Sequence, residues 1–145
     1  MRNFILPGMV FVLLLASCKP AKKETEDITS SFNSCLEVVE EILLTSSHFI
    51  EYTKDLNERV IANGGIGYGY SLERSPDSSE ETPVSDTYDF ILFESYEDHS
   101  PLVARFSFNV EKEQLYEYDA VLESMIPISF NQELLPDLRI VCKKK

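Results

Sequence analysis

The sequence predicts an α+β fold: an N-terminal amphipathic helical segment packed on an antiparallel sheet of about four strands. Three observations carry this reading. Residues 28–63 contain neither Gly nor Pro and repeat apolar side chains at helical spacing. Residues 65–120 hold several runs that alternate with a period of two. The last of these runs are joined by short turns, which favours an antiparallel meander over parallel crossovers.

In the helical segment, Leu36, Val39, Ile42, Phe49, Leu56 and Val60 recur at gaps of three, four and seven. Glu37, Glu40, Glu41, Lys54, Asp55, Glu58 and Arg59 fall mainly off that stripe, so one face is apolar and the other solvated. Thr29, Ser30 or Ser31 is the expected cap at the start, and Asn63-Gly64-Gly65 the expected stop. Thr45-Ser46-Ser47 offers a break, with Ser47 as a second cap, so the segment is either one helix or two. Residues 65–72 then alternate Gly65, Gly67 and Gly69 on one face with Ile66, Tyr68 and Tyr70 on the other. A face without side chains admits close approach, and the preceding helix is the expected neighbour there. Residues 75–86 form a polar loop with two prolines. Strands follow over 88–96, 102–109 and 115–120, separated by turns at 97–101 and 111–113. Residues 126–130 add an edge strand, where Pro127 is tolerated despite its missing donor. Asn131 is placed to cap a brief helix from residue 132, and residues 138–142 close the domain.

The chain has 145 residues with 13 Lys+Arg against 25 Asp+Glu, a formal net charge of −12. That length suits a single domain with one core. The acidity excludes a nucleic-acid partner, because a phosphate backbone needs a basic footprint that is missing here.

The first eighteen residues address compartment. Met1-Arg2-Asn3 is a short basic start, and residues 4–15 are almost wholly apolar. Twelve helical residues reach about 18 Å, short of a hydrocarbon core about 30 Å thick, so an export signal is expected rather than a spanning anchor. The run ends in Leu15-Ala16-Ser17-Cys18. This resembles the lipobox of bacterial lipoproteins, an apolar residue and two small ones before an invariant cysteine. The resemblance implies cleavage of a signal peptide over 1–17, lipidation of Cys18, and acyl chains that hold the protein to a membrane of the bacterial cell envelope. Residue 19 is Lys rather than the Asp of the common inner-membrane retention signal, so the outer membrane, facing the periplasm, is the expected site. Residues 18–28 read as a polar tether, 29–142 as one domain, and 143–145 as a basic tail. Without residues 1–17 the chain has 25 acids against 12 bases, a net charge of −13.

With Cys18 assigned to lipid, Cys35 and Cys142 remain, near the two ends of the domain in an oxidising compartment. A disulfide between them would close about a hundred residues, for which loop entropy gives about 4–5 kcal/mol. The alternative is two buried, inert thiols. Neither has a second Cys or His at ligand spacing, so no metal is expected.

Candidate chemistry is sparse. The glycines at 64–69 follow a helix and open a strand, the reverse of a phosphate cradle, and no Gly-Lys-Ser/Thr follows them. No cofactor is expected. The residues Asp77-Ser78-Ser79-Glu80-Glu81 space oxygens like a calcium loop but lack its sixth-position Gly and its terminal acid. There is no Gly-x-Ser-x-Gly elbow for a serine nucleophile. His48 and His99 are the two histidines, and each has a carboxylate nearby in sequence. The order of elements is similar to that of cystatin-like and PepSY-type folds, a likeness carried by the hairpin Phe106-Ser107-Phe108 and Leu115-Tyr116-Glu117-Tyr118-Asp119. The Gln-x-Val-x-Gly motif of cystatins is absent. As a whole the chain also resembles small Gram-negative lipoproteins of uncharacterised function.

The tyrosines are the most suggestive feature. Tyr68, Tyr70, Tyr88, Tyr96, Tyr116 and Tyr118 all fall on expected strands. Interleaved with Glu73, Asp89, Glu94, Glu117 and Asp119, they are expected to form an acidic aromatic sheet face, with Tyr68, Tyr70, Tyr116 and Tyr118 as its candidate binding residues. Such a face suits a protein or peptide partner, with tyrosine as anchor and the acids steering a basic one. Half-buried sheet tyrosines are the plain alternative. The functional expectation is a lipid-anchored, non-enzymatic binding protein, with an inhibitor or immunity-like role resting on fold analogy. A small envelope hydrolase using carboxylates or His48, and a structural envelope lipoprotein, are the alternatives, so the question of enzymatic activity stays open.

Overall fold

The computed structural model describes residues 30–77 and 84–142. The expected signal peptide, Cys18, the tether, the basic tail and most of the calcium-like run lie outside the described residues.

The helical segment is divided three ways. α1 (Cys35–Leu44) starts at Ser34, whose hydroxyl accepts from the Glu37 N–H at 3.2 Å, while Glu37 accepts from the Asn33 N–H at 2.7 Å. It buries Val38, Val39, Ile42 and Leu43. α2 (Ser47–Thr53) is capped by Ser46 rather than by Ser47. The buried Ser46 hydroxyl donates to the Leu43 carbonyl at 2.7 Å and accepts from the Phe49 N–H at 3.3 Å, so one side chain closes α1 and opens α2. α3 (Leu56–Ala62) follows a further break at Asp55, which takes a left-handed φ of 56°. These breaks keep Phe49, Leu56 and Val60 facing the same core as α1.

Five strands follow: β1 (Gly67–Arg74), β2 (Tyr88–Ser95), β3 (Leu102–Asn109), β4 (Gln114–Asp119) and β5 (Ser124–Ile128). They form one antiparallel meander in chain order, so β1 and β5 are its edges. The α+β architecture is as the sequence reads, with five strands rather than about four. A 3₁₀ turn (Gln132–Leu134) is opened by Asn131, which accepts from the Glu133 N–H at 3.0 Å. It leads into α4 (Leu135–Val141), whose Leu138 is buried. Cys35 opens α1 and Cys142 caps α4, and the two form a disulfide with Cα atoms 4.7 Å apart. The bond ties both ends of the domain together.

Register determines the faces. Leu92 lies opposite Tyr70 and Ala104, Phe90 opposite Leu72 and Phe106, and Tyr88 opposite Phe108. Directly opposed residues share a face, so these form the side that packs on α1–α4. Tyr88, Phe90, Leu92, Phe106, Phe108 and Leu115 are all buried there with Val38, Ile42, Leu56 and Leu138. Ile91, Phe93, Arg105, Ser107, Tyr116 and Tyr118 point to the other side. No helix covers that side among the described residues.

One expectation holds for only part of the glycine run. A Cβ on Gly65 would run into Val60 of α3, and one on Gly67 would meet Asn57 of α3 at 3.0 Å, so the preceding helix closes on these two glycines but not on Gly69. The helices lie over the side carrying Tyr70 and Leu72, where Phe49 meets the Tyr70 ring edge-on at 5.9 Å. Gly69 faces away from them, and the Phe93 ring fills its place: a Cβ on Gly69 would meet that ring at 2.9 Å. Gly69, on an edge strand, is thus covered by a cross-strand aromatic instead of by a helix.

Candidate functional site

The four candidate tyrosines do not assemble into one face. Tyr68 and Tyr70 lie on the helix side at the β1 edge, whereas Tyr116 and Tyr118 lie on the uncovered side of β4. Tyr116 sits opposite Ser107 and Pro127, and Tyr118 opposite Met125. Burial on the helix side, with Glu40 nearby, pushes the Tyr70 hydroxyl pKa up.

The interleaved acids are likewise divided, and each is engaged within the chain. Glu73 accepts from Arg105 at 2.9 Å. Asp89, buried on the uncovered side, accepts from Ser107 Oγ at 2.6 Å and Thr87 Oγ1 at 2.7 Å and pairs with Arg74 Nε at 3.0 Å. Glu94 accepts from the Tyr96 hydroxyl at 2.9 Å. Asp119 accepts from the N–H groups of Val121 and Leu122 at 2.7 and 2.9 Å. Glu117 turns to the helix side, where Oε1 accepts from the Tyr52 hydroxyl and Oε2 meets His48 Nδ1, both at 2.5 Å. Glu73 and Asp89 are offset by Arg105 and Arg74, whereas Glu94 and Asp119 accept from neutral donors and keep their charge. The expected acidic aromatic face is therefore corrected to an uncovered face of mixed polarity.

That face is hollowed at two adjoining places. One, of about 390 Å³, is bordered by Arg74, Thr87, Asp89, Ser107 and Met125. The second, of about 320 Å³, is lined by Ile91, Phe93, Ser100 and Leu102. Arg105 borders both. Around them Tyr118 and Met125 are each 40% exposed and Leu102 is 49% exposed, which leaves large apolar surface facing water. The polar hollow is pre-ordered by the Asp89 bonds, and the apolar one is built by β2 and β3.

The histidines are placed apart. His99 lies in the β2–β3 turn, stacked on Tyr96 at 4.7 Å and 7°, and its Nδ1 meets Asp98 at 2.5 Å. That contact pulls the Asp98 carboxyl pKa down. His48 is held by Glu117 between α2 and β4. None of the hollows described here includes either histidine. The Glu117 contacts span 65 and 69 residues, and no spacing in the sequence announced them.

A third cleft, of about 750 Å³, opens at the end of the sheet beside the disulfide, between Ser34, Tyr88, Asn109 and Val141. There the Tyr88 hydroxyl donates to Asp77 at 2.7 Å, and burial together with that carboxylate pushes its pKa far up. Among the described residues no group of three or more His, Cys, Asp or Glu is arranged to hold a metal ion. Among them, too, no helix is long and apolar enough to cross a membrane.

No family model, curated protein or solved structure matches the chain.

Proposed function

We propose that the chain is a lipid-anchored protein of the bacterial envelope, attached through Cys18, whose domain binds a protein or peptide without catalysing a reaction. The observation that carries the binding reading is the uncovered sheet face, with its polar and apolar hollows meeting at Arg105. Exposed apolar area beside ordered polar groups is the make-up of a recognition surface. Tyr118 and Met125 are the anchors, and the net charge of −12 admits a basic partner without selecting one. The anchoring reading rests on the lipobox-like Leu15-Ala16-Ser17-Cys18 and the apolar run before it.

The two halves are tested separately. A photo-activatable residue at position 118 is expected to capture a discrete envelope protein, while the same group at the exposed Glu58 on α3 captures none. Tyr118→Ala with Met125→Ala should lower affinity for the captured partner about tenfold, the effect of losing a moderate hot spot. Capture equal at both positions would refute a binding face. Cys18→Ala should move the protein from the membrane to the soluble fraction, and an unchanged membrane fraction would refute lipid anchoring.

One observation favours a second reading. The Glu117 carboxylate on His48 Nδ1 is the pairing that orients a general base, which suits a small hydrolase. His48→Ala abolishing a hydrolytic activity of the purified chain would establish it.

A further inference from the structure

The two edges of the sheet are built differently. β5 is short, and Pro127 removes one donor from it. Gln114 Nε2 on β4 also donates to the Ile128 carbonyl at 2.8 Å, at the end of β5. Pro and short length are the usual ways an edge is blunted. β1 has eight residues, no Pro and no Lys, and no strand on its outer side among the described residues.

The ladder fixes which β1 groups face outward. The Glu94 N–H donates to the Pro101 carbonyl at 2.9 Å, so Glu94 directs its backbone toward β3. Tyr68, its opposite on β1, consequently directs its own N–H and C=O away from β2. Alternation adds Tyr70 and Leu72 to that outer row. Beyond Leu72 the row is broken, because the register shifts before Arg74 and Ser75 bridges Val84.

The chemistry of this edge selects its occupant. In a chain of net charge −12, residues 60–72 contain no charged residue. Tyr68 and Tyr70 are exposed beside it. The outward residues Tyr68, Tyr70 and Leu72 are themselves uncharged, and the acids nearest them, Glu94 opposite Tyr68 and Glu40 by Tyr70, belong to other elements. A second identical edge therefore meets like with like along the paired row.

The geometry points to self-association of two copies through β1, antiparallel about a two-fold axis at Tyr70. This register uses every outward residue. Tyr70 faces Tyr70 of the second copy, and Tyr68 faces its Leu72, giving three pairs that exchange backbone hydrogen bonds. On the other face Gly69 lies opposite Ser71, and Gly67 opposite Glu73, so no like charges meet. The two sheets join into one of ten strands, and each copy keeps its uncovered face free.

The described fold lies wholly within residues 30–142. The test therefore uses residues 18–145 carrying Cys18→Ala, which keeps that fold and leaves no acyl group to drive association. Sedimentation over rising concentration should show a reversible monomer–dimer equilibrium. Tyr70→Lys, which opposes like charges at the axis, should raise the dissociation constant at least about tenfold. Tyr68→Lys, away from the Phe49 ring, should do the same and covers the case in which the first variant does not fold. Hydrogen exchange adds a local readout: the amides of Tyr68, Tyr70 and Leu72 should gain protection as dimer accumulates. A monomer at every concentration would overturn the proposal. So would a dimer that neither substitution weakens, or one whose three outward amides stay unprotected.

Discussion

Replacing Cys35 and Cys142 by serine will lower the stability of the domain by about 4–5 kcal/mol, the largest single loss expected for this protein. The two residues lie 107 positions apart, so the bond closes almost the whole fold into one loop and restricts the unfolded chain accordingly. The folded side adds a local reason. α4 has seven residues and one fully buried side chain, Leu138, and reaches the rest of the domain through α1 and the Arg139–Glu113 ion pair. That pair is largely exposed, and exposed pairs contribute about 0–1 kcal/mol. Short helices are marginal alone, so α4 depends on being tied to α1. Urea unfolding of oxidised protein, reduced protein and the double serine variant should give one high and two equal low midpoints. If the serine variant loses less than about 1 kcal/mol, the bond is not the constraint described here. Reduction should also loosen the cleft beside the disulfide before it touches the uncovered face, because Ser34, Cys35, Val141 and Cys142 all border that cleft.

The pair was readable by subtraction: if Cys18 is assigned to the lipobox-like motif, as proposed, two of the three cysteines are left. The helical segment and the strands were readable from periodicity, because Val39, Ile42, Leu56 and Val60 really do share one core. The division at Asp55 was not, since its left-handed backbone answers to where α3 must sit over the sheet. Which side the helices cover was also hidden locally. β2 is apolar on both faces, with Phe90 and Leu92 on one and Ile91 and Phe93 on the other. Only β3 separates them, through Phe106 and Phe108 against Arg105 and Ser107. Carrying its face across the ladder to β1 needs the register, which is tertiary information. The expected tyrosine face failed for that reason: alternation pairs residues within one strand, but Tyr70 and Tyr118 belong to opposite sides of the sheet. The acids misled for another reason. Interleaving suggested a steering field, while Asp89 and Glu117 were recruited to bonds with residues far away in sequence.

Glu117→Ala is expected to cost about 3 kcal/mol, because two donors lose their acceptor at the helix–sheet interface. The loss should not be shared evenly. Glu117 is 10% exposed at its side chain, but His48 is 40% exposed and can turn to water. The Tyr52 ring instead packs against Phe106 at 6.2 Å, so its hydroxyl has less freedom to find a new partner. Glu117→Gln keeps the shape and one accepting oxygen, and should cost less than half as much. A double-mutant cycle between Tyr52→Phe and Glu117→Ala should return a coupling of about 1–3 kcal/mol, larger than the cycle with His48→Ala. The same bond has a signature in pH. A phenolate at Tyr52 would face the Glu117 carboxylate, so that hydrogen bond, then burial, pushes the hydroxyl pKa from 10.0 up to about 12. Because the folded value lies above the unfolded one, the contribution is complete below pH 10 and is lost as pH rises through about 12. Titrating phenolate absorbance should therefore show a late-ionising tyrosine that moves back toward 10 in Glu117→Ala. Tyr52→Phe should remove one late-ionising group and leave the Tyr88 hydroxyl, which burial and Asp77 also push up. A titration unchanged by both substitutions would mean that Glu117 does not hold Tyr52, and that α2 rests on its apolar contacts alone.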